Sequence, residues 1–221
     1  MKMLRKFLPR TLGGSRDSLF ALLFEKAQGF DRREYGSHLR ELIRGMRKPP
    51  TRIMEIGVED GLGAEAMIKT VKEKTKEKVE YYGFDLFGEI PPNAKTLERI
   101  RLVCRKDKRE EIRKKLERLG CKCYLYGGDS TRVLPKVLSH LPKMDFIHID
   151  GGHDYETVKS DWIHASKLMA PHTVVVFDDY PIEGVKRVVQ EIRKGGGFKI
   201  TISGGHAVVT RKPLRNGRHE V

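Results

Sequence analysis

Two short stretches of the sequence place several acidic side chains and a histidine close together. Asp150 ends one apolar run and is followed by Gly-Gly and His153, and Asp178 and Asp179 end a second apolar run. If the two runs are neighbouring parallel strands, the three carboxylates meet at one edge of the sheet, where they repel one another unless a cation joins them. Carboxylate oxygens in this number suit Mg²⁺. We therefore predict a divalent-metal site at Asp150, Asp178 and Asp179, with capping of the adjacent turns as the structural alternative.

His153 lies beyond Asp150 on the Gly-Gly turn, a position from which an imidazole can act as a general base or become a metal ligand. A bound metal would hold a substrate hydroxyl, lower its pKa and orient its oxygen for attack. We predict His153 and Asp150 as the catalytic residues. The alternative for His153 is a hydrogen-bonding role in packing. His148, inside the preceding strand, is expected to belong to the core.

A glycine-rich turn follows the first predicted strand in E-I-G-V-E-D-G-L-G, where Gly57, Gly61 and Gly63 let the backbone turn sharply and approach a ligand closely. Its backbone N–H groups are expected to face that ligand. Glu55 is buried by its strand context and needs polar partners to offset its desolvation. Asp85 ends the second predicted strand, where a carboxylate can accept hydrogen bonds from both hydroxyls of a ribose. This combination predicts an adenosine-bearing cofactor, with tight packing at the turn and a strand-end cap at Asp85 as the alternatives.

A third turn, G-G-D-S, follows the third predicted strand and opens a helix. Its Asp129 and Ser130 could contact the edge of an adenine ring. Equally, either side chain could cap the helix that begins there, since both residue types are favoured at helix N-termini. The sequence leaves these two roles open.

Runs rich in β-branched and aromatic residues alternate with helical stretches along the chain. We predict strands at 52–56, 79–84, 122–126, 145–149, 173–177, 198–202 and 206–210. We predict helices at about 16–28, 33–46, 63–76, 95–119, 131–140, 155–169 and 183–194. The intervals between the first five strands are long enough for crossover connections, which predicts parallel pairing, whereas the short link between the last two predicts an antiparallel hairpin.

These elements predict an α/β fold, a Rossmann-like three-layer sandwich whose mostly parallel seven-stranded sheet ends in a C-terminal antiparallel hairpin. We assign residues 1–50 to an N-terminal helical cap, 51–210 to the α/β domain and 211–221 to a basic tail. The cap and the insertion at 86–104 are expected to form a lid over the pocket and to carry the substrate specificity.

Composition bounds the class of protein. The 221-residue chain carries 44 Lys and Arg against 30 Asp and Glu, a net charge of +14. Charges of both signs alternate at helical spacing in segments such as 106–118, which favours solvated helices over a nucleic-acid footprint. Three cysteines in a chain of this size argue against a disulfide framework. The sequence shows no membrane-length apolar run and no signal-peptide pattern, so we expect a soluble cytoplasmic protein without a membrane partner and leave a homo-oligomer open.

Taken in order, these motifs resemble the class I S-adenosylmethionine-dependent methyltransferases, and within them the small-molecule O-methyltransferases with a D-G-x-H-x-Y motif. The resemblance covers about residues 50–210. It rests on E-I-G-V-E-D-G-L-G, Asp85, G-G-D-S, D-F-I-H-I-D-G-G-H-D-Y with Asp161, and V-V-V-F-D-D-Y. It implies transfer of a methyl group from S-adenosylmethionine to an oxygen of a hydroxylated small molecule, assisted by a divalent metal such as Mg²⁺.

In this family the glycine turn holds the methionine portion of the cofactor, the acid after the second strand binds ribose, and the acidic turn after the third strand lies near adenine. The resemblance implies these roles for Gly57, Asp85 and Asp129. The predicted cofactor-binding residues are Glu55, Gly57, Gly61, Gly63, Asp85, Asp129, Ser130 and Asp150.

The acidic residues Asp150, Asp178 and Asp179 resemble the metal ligands of catechol-type O-methyltransferases, which commonly present D…D-N, and here Asp179 stands in place of the asparagine. His153 falls where those enzymes carry a lysine base. Three other functions stay open: an RNA ribose methyltransferase, which the positive charge favours; a catalytically inactive S-adenosylmethionine-binding protein; and an NAD-dependent dehydrogenase, which the terminal hairpin argues against.

Overall fold

Alternating strands and helices make up residues 36–88 and 108–213, the part of the chain that the computed structural model describes. The strands are β1 (Arg52–Ile56), β2 (Val79–Asp85), β3 (Cys121–Gly127), β4 (Met144–Ile149), β5 (Met169–Phe177), β6 (Phe198–Ser203) and β7 (His206–Arg211). The helices are α1 (Ser37–Gly45), α2 (Leu62–Lys74), α3 (Lys108–Arg118), α4 (Ser130–Val137), α5 (Tyr155–Lys167) and α6 (Glu183–Gly195). A short 3₁₀ helix, Leu138–His140, follows α4. Each of the seven predicted strands is present.

The seven strands form one sheet in the order β3-β2-β1-β4-β5-β7-β6. Neighbouring strands from β3 to β5 are parallel, and β7 pairs antiparallel with both β5 and β6. The β6–β7 hairpin turns at Gly204 and Gly205, whose φ angles are 57° and 85°. Positive φ at both central residues suits a two-residue hairpin turn. The structure therefore confirms the predicted mostly parallel sheet with a C-terminal hairpin.

Strand β5 begins at Met169, whereas the sequence pattern predicted a helix up to residue 169 and a strand only from residue 173. Pro171 has no N–H for the ladder and interrupts the run of strand-forming residues, so it hid the first part of the strand. The β4–β5 register shifts between Met144 and Phe146 near this interruption. The predicted start of β5 was therefore wrong.

Helices cover both faces of the sheet. On one face, α4, α5 and α6 pack against strand residues that include Met54 and Ile147. On the other face, α1, α2 and α3 pack against residues that include Ile53 and Phe146. Consecutive strand residues point to opposite faces, so the central strands are apolar on both sides. The predicted three-layer sandwich is confirmed.

Helix α1 is the described part of the predicted N-terminal cap. It buries Leu39 and Ile43 in the core that it shares with α2. At its C-terminus, Lys74 of α2 donates hydrogen bonds to the carbonyls of Ile43, Arg44 and Met46 at 3.2, 2.6 and 2.9 Å. These bonds supply a donor to carbonyls at and just beyond the end of α1, where intrahelical donors run out, and they fix α1 to the domain.

Several predicted segments lie outside the described residues: helix 16–28, residues 95–107 of the predicted helix 95–119, residues 89–104 of the insertion, and residues 214–221 of the tail. Within the described ranges, none of the helices has the length and apolar character needed to cross a membrane.

Asp145 joins three strands near the amino-terminal ends of β1 and β4, at the end of the sheet opposite the predicted site. Its Oδ2 accepts hydrogen bonds from the N–H groups of Thr51 and Arg52 at 2.8 and 2.9 Å. Its Oδ1 lies 2.7 Å from Nε2 of His172, in β5. Burial opposes ionisation of this carboxyl, but His172 and the two backbone N–H groups outweigh it and lower the pKa of Asp145. The carboxylate therefore ties the starts of β1 and β4 to β5.

We expect Asp145→Ala to lower the free energy of unfolding by about 2 kcal/mol, because it leaves two backbone N–H groups without their acceptor. A lowered pKa stabilises the fold above the unfolded-state pKa, so the difference from wild type should shrink as the pH falls below about 3.9. Urea unfolding at several pH values measures this. The control is Glu73→Ala, which removes an exposed ion pair with Arg44 and should cost less than about 0.5 kcal/mol. Equal costs for the two variants would contradict the assignment.

Candidate active site

A row of polar side chains crosses the sheet near the carboxyl ends of its parallel strands. The hydroxyl of Tyr81 on β2 donates to Oε2 of Glu55 on β1. On β4, Nδ1 of His148 lies 2.9 Å from Oε1 of Glu55, and its Nε2 lies 3.4 Å from Oδ2 of Asp178, which follows β5. Nδ1 of His206 on β7 lies 2.8 Å from Oδ1 of Asp178. Five adjacent strands thus contribute one residue each to this polar row.

Alternation of acidic and basic groups makes burial of the polar row tolerable. Glu55 and His148 are 2% and 0% exposed, and unpaired charges at that depth would be costly. Burial opposes the charge of His148, but Asp178 and Glu55 outweigh it and raise its pKa to about 10. Burial also opposes ionisation of Asp178, and His148 and His206 nevertheless lower its pKa. The two carboxyl groups on either side of His148 therefore favour its charged form.

The sequence predicted that a buried Glu55 needs polar partners, and Tyr81 and His148 are those partners. It also placed His148 in the core, and the structure confirms this, since His148 is 0% exposed. The sequence did not predict that its ring pairs with Glu55 and Asp178. The available signal was strand register, since Glu55 and His148 are paired positions on β1 and β4.

The cap helix α1 reaches the same end of the sheet through His38. Its ring stacks on that of His206, with centroids 4.0 Å apart and an interplanar angle of 11°. Burial lowers the pKa of His38, and the neighbouring His206 lowers it further. Sequence analysis missed both histidines because nothing in their spacing shows that α1 and the terminal hairpin meet.

Asp150, His153 and Asp179 form a second group beside the polar row. Nε2 of His153 lies 2.9 Å from Oδ2 of Asp179 and 4.0 Å from Oδ1 of Asp150. Burial raises the pKa of Asp150 well above its usual range, and Asp178 and Asp179 add to this shift against the charge of His148. Asp179 has a φ of 51°, a conformation that is uncommon outside glycine.

The three predicted metal ligands do lie together at the ends of β4 and β5, but they divide between two groups. In one group, ligand atoms of Asp150, His153 and Asp179 lie within 4.8 Å of one another, and in the other those of His148, Asp150 and Asp178 do so. Asp150 belongs to both groups. The first set could hold a metal ion, whereas in the second both ring nitrogens of His148 already face carboxyl groups.

Two glycines fix the turn that carries Asp150 and His153. A Cβ on Gly57 would lie 1.9 Å from the carbonyl oxygen of Asp150, and a Cβ on Gly184 would lie 2.2 Å from that of His153. The N–H of Asp150 also donates to the carbonyl of Ile56 at 2.8 Å. The turn is therefore packed directly against the end of β1 and the start of α6, and only glycine permits these approaches.

Asp85 ends β2, as predicted, and binds the glycine turn. Its Oδ2 accepts hydrogen bonds from the N–H groups of Val58 and Glu59 at 3.0 and 2.9 Å, and its Oδ1 accepts from that of Phe87 at 3.0 Å. The expectation that the backbone N–H groups of this turn face a ligand is therefore wrong for Val58 and Glu59. The physical reason is that a carboxylate on the next strand already provides their acceptor.

The other two glycines of the turn start helix α2. Gly61 has a φ of 77° and precedes the helix, and a Cβ there would lie 3.0 Å from Cγ1 of Ile112 on α3. Gly63 is buried in the first turn of α2. Tight packing, the structural alternative for these glycines, is thus present at Gly61, and their contact with a cofactor stays a prediction.

Asp129 caps helix α4. Its Oδ1 accepts hydrogen bonds from the N–H and the hydroxyl of Thr131 at 2.9 and 2.7 Å, and Ser130 is the first residue of the helix. The capping role of Asp129 is confirmed, and contact of Asp129 and Ser130 with adenine stays a prediction. The preceding N–H of Gly128 donates to the carbonyl of Asp85 at 2.9 Å, which joins this turn to the end of β2.

The fold and the site together define an α/β protein whose glycine-rich and acidic turns meet at the carboxyl ends of parallel strands, the usual ligand position in such sheets. A family model described as a methyltransferase domain matches residues 54–180, more than half of the chain. The chain belongs to this methyltransferase family. No curated protein matches the sequence significantly.

Solved structures of O-methyltransferases have the same fold. The O-methyltransferase NovP has a TM-score of 0.62 and 18% identity, over 81% of this chain and 80% of its own. An O-methyltransferase from Bacillus cereus, in complex with S-adenosylhomocysteine, has a TM-score of 0.60 and 16% identity, over 91% and 94%. The calicheamicin methyltransferase CalS11 has a TM-score of 0.59 and 15% identity, over 88% and 83%. At these identities the likeness shows the fold.

We expect Gly57→Ala to lower the free energy of unfolding by more than about 2 kcal/mol, because its Cβ would collide with the carbonyl of Asp150 and its φ is 90°. Urea unfolding measures the cost. The control is Gly45→Ala, at the end of α1, where a Cβ meets no atom within 4 Å, and this change should stabilise the helix by about 0.5 kcal/mol. Similar stability of the two variants would contradict the close approach.

Proposed function

We propose that this protein binds S-adenosylmethionine and transfers its methyl group to an oxygen of a hydroxylated small molecule, assisted by a divalent metal ion such as Mg²⁺. The observation that carries the proposal is the contact between Gly57 and the carbonyl of Asp150. It joins the glycine turn, where the cofactor is expected, to the acidic groups, where the acceptor is expected. The structural neighbours that are O-methyltransferases support the same reaction.

On the cofactor side, Gly57 would face the methionine portion, Asp85 the ribose, and the turn at Asp129 and Ser130 the adenine. A carboxylate offers about four acceptor positions. Backbone N–H groups fill three of those on Asp85, so a hydrogen bond to ribose would use the remaining position or replace one of these bonds. Cofactor binding at Asp85 would then directly affect the hydrogen bonds that hold the backbone of the glycine turn.

On the acceptor side, the donor chemistry of the site fits a divalent metal. Asp150 and Asp179 offer carboxylate oxygens, and we propose them as ligands. Asp178 is the third proposed ligand, although both of its oxygens already have a histidine beside them. When bound, the metal would hold the acceptor oxygen and make its hydroxyl more acidic.

The side chains of the site include a group that can accept the proton that the acceptor hydroxyl loses on methyl transfer. His153 is partly exposed, and its Nε2 lies 2.9 Å from Oδ2 of Asp179. With Nε2–H directed to Asp179, the other ring nitrogen, Nδ1, would accept the proton of an acceptor hydroxyl, and Asp179 would stabilise the resulting imidazolium. The acceptor oxygen then bonds to the methyl carbon, and the bond from that carbon to the sulfur of the cofactor breaks. S-adenosylhomocysteine is the second product.

Isothermal titration of S-adenosylhomocysteine and of Mg²⁺ into the purified protein tests the proposal. We expect micromolar binding of S-adenosylhomocysteine by the wild type and by Asp179→Ala. We expect Mg²⁺ affinity to fall at least about tenfold in Asp179→Ala, because one proposed carboxylate ligand is lost. The control is Glu183→Ala, a nearby exposed acid at the start of α6, which should retain both affinities.

The two titrations separate the parts of the proposal. A wild type that does not bind S-adenosylhomocysteine contradicts the methyltransferase function. Cofactor binding without any Mg²⁺ binding contradicts the metal and leaves a methyltransferase in which His153 and the carboxylates act alone.

A further inference from the structure

Asp161 occupies a core position on helix α5. It is 1% exposed and shares the buried face of the helix with Val158 and Ala165, at 2% and 0%. The spacing of these three residues is that of one helical face. An apolar residue would satisfy the packing at this position, so the carboxyl group requires a separate explanation.

The two carboxyl oxygens of Asp161 are buried, and within the described residues neither makes a hydrogen bond of ordinary geometry. The hydroxyl of Ser130 is the polar group beside them, and it does not offset their burial. Burial of a polar group without a partner costs free energy, and such groups in native proteins are rare. Asp161 therefore destabilises the fold in the described structure. A residue that is costly to the fold and is nevertheless present suggests a functional role.

The surroundings of Asp161 point to the cofactor side of the site. A Cβ on Gly151, in the turn after β4, would lie 3.4 Å from its Oδ2. The hydroxyl of Ser130, at the start of α4, is close enough to favour the ionised form. Asp161 thus lies between the turn that follows β4 and the turn that follows β3.

Two other acids lie nearby, and both have ordinary structural roles. Asp129 caps α4 through Thr131, and Asp154 caps α5, where its Oδ1 accepts from the N–H of Thr157 at 3.0 Å. Asp161 caps neither helix. It is the acid in this group whose position capping does not explain.

We propose that Asp161 is a positioning residue of the cofactor site, which holds the Ser130 turn and the Gly151 turn at the separation that the adenosine end of S-adenosylmethionine requires. This inference rests on the proposed function. Because Asp161 is buried beneath the turns, it acts through Ser130 and Gly151.

The ionisation of Asp161 agrees with this role. Burial raises its pKa to about 7, with Ser130 opposing the shift and Asp129 and Asp154 adding to it. Near neutral pH the carboxyl is therefore partly protonated, and the acid form can donate one hydrogen bond and accept others. Because the folded protein then binds more protons than the unfolded chain, the free energy of unfolding should fall as the pH rises from about 4 to 7.

Asp161→Val and Asp161→Asn separate positioning from packing. Asp161→Val removes the polar group at similar volume, so we expect an equal or higher Tm at pH 8 and an affinity for S-adenosylhomocysteine at least about tenfold weaker. Asp161→Asn keeps a donor and an acceptor and should restore the affinity to within about threefold of wild type. The control is Val158→Ala, one turn earlier on the same face, which should lower the Tm and leave the affinity within about twofold.

Thermal unfolding and titration with S-adenosylhomocysteine decide the outcome. Wild-type affinity in a folded Asp161→Val would overturn the inference, and so would a parallel loss of Tm and affinity, which indicates a packing role. If Asp161→Val does not fold, Asp161→Ala decides: a folded variant that binds at least about tenfold more weakly supports the inference, and unchanged binding overturns it. A wild type that does not bind S-adenosylhomocysteine would instead contradict the proposed function on which the inference rests.

Discussion

The pairing of buried His148 with Glu55 on one side and Asp178 on the other is the interaction on which the site depends. A charge at 0% exposure is stable only if its partners lie at fixed distances on both sides, because solvent cannot compensate for a displacement. This requirement fixes the positions of the carboxyl ends of β1, β4 and β5 relative to one another. It adds to the register that the backbone hydrogen bonds between these strands already set. Asp150 directly follows β4, two residues after His148, so the polar row also determines where the acidic groups lie.

The cofactor side and the acceptor side of the site both contact the polar row, each through a different residue. Glu55 precedes the glycine turn on β1, and Asp178 lies beside the turn that carries Asp150. Because His148 contacts both Glu55 and Asp178, it joins the two sides within the sheet. Above the sheet, the close approach of Gly57 to Asp150 joins them again. Asp161 reaches the same turn from the opposite face, through α5. A movement of the Asp150 turn would therefore disturb contacts with β1, α5 and α6.

Local patterns predicted most of the fold, because strand alternation, glycine-rich turns and the short terminal link are properties of neighbouring residues. The acids at strand ends were predicted for the same reason, since parallel strands place their carboxyl ends together. The partners of His148, and the stacking of His38 on His206, depend on register and on distant packing, which periodicity does not encode. Pro171 hid the early start of β5. The hydrogen bonds from the glycine turn to Asp85 could not be predicted, because the sequence does not show which backbone N–H groups of the turn lack other acceptors.

The crystal structure of the protein with S-adenosylhomocysteine tests the central claim most directly, because that claim concerns where the cofactor binds. We expect the homocysteine portion at Gly57, the ribose at Asp85, the adenine between the turns at Ser130 and Gly151, and the sulfur directed toward Asp150. S-adenosylhomocysteine bound away from the carboxyl ends of β1, β2 and β3, or a site that stays empty at a saturating concentration, would contradict it.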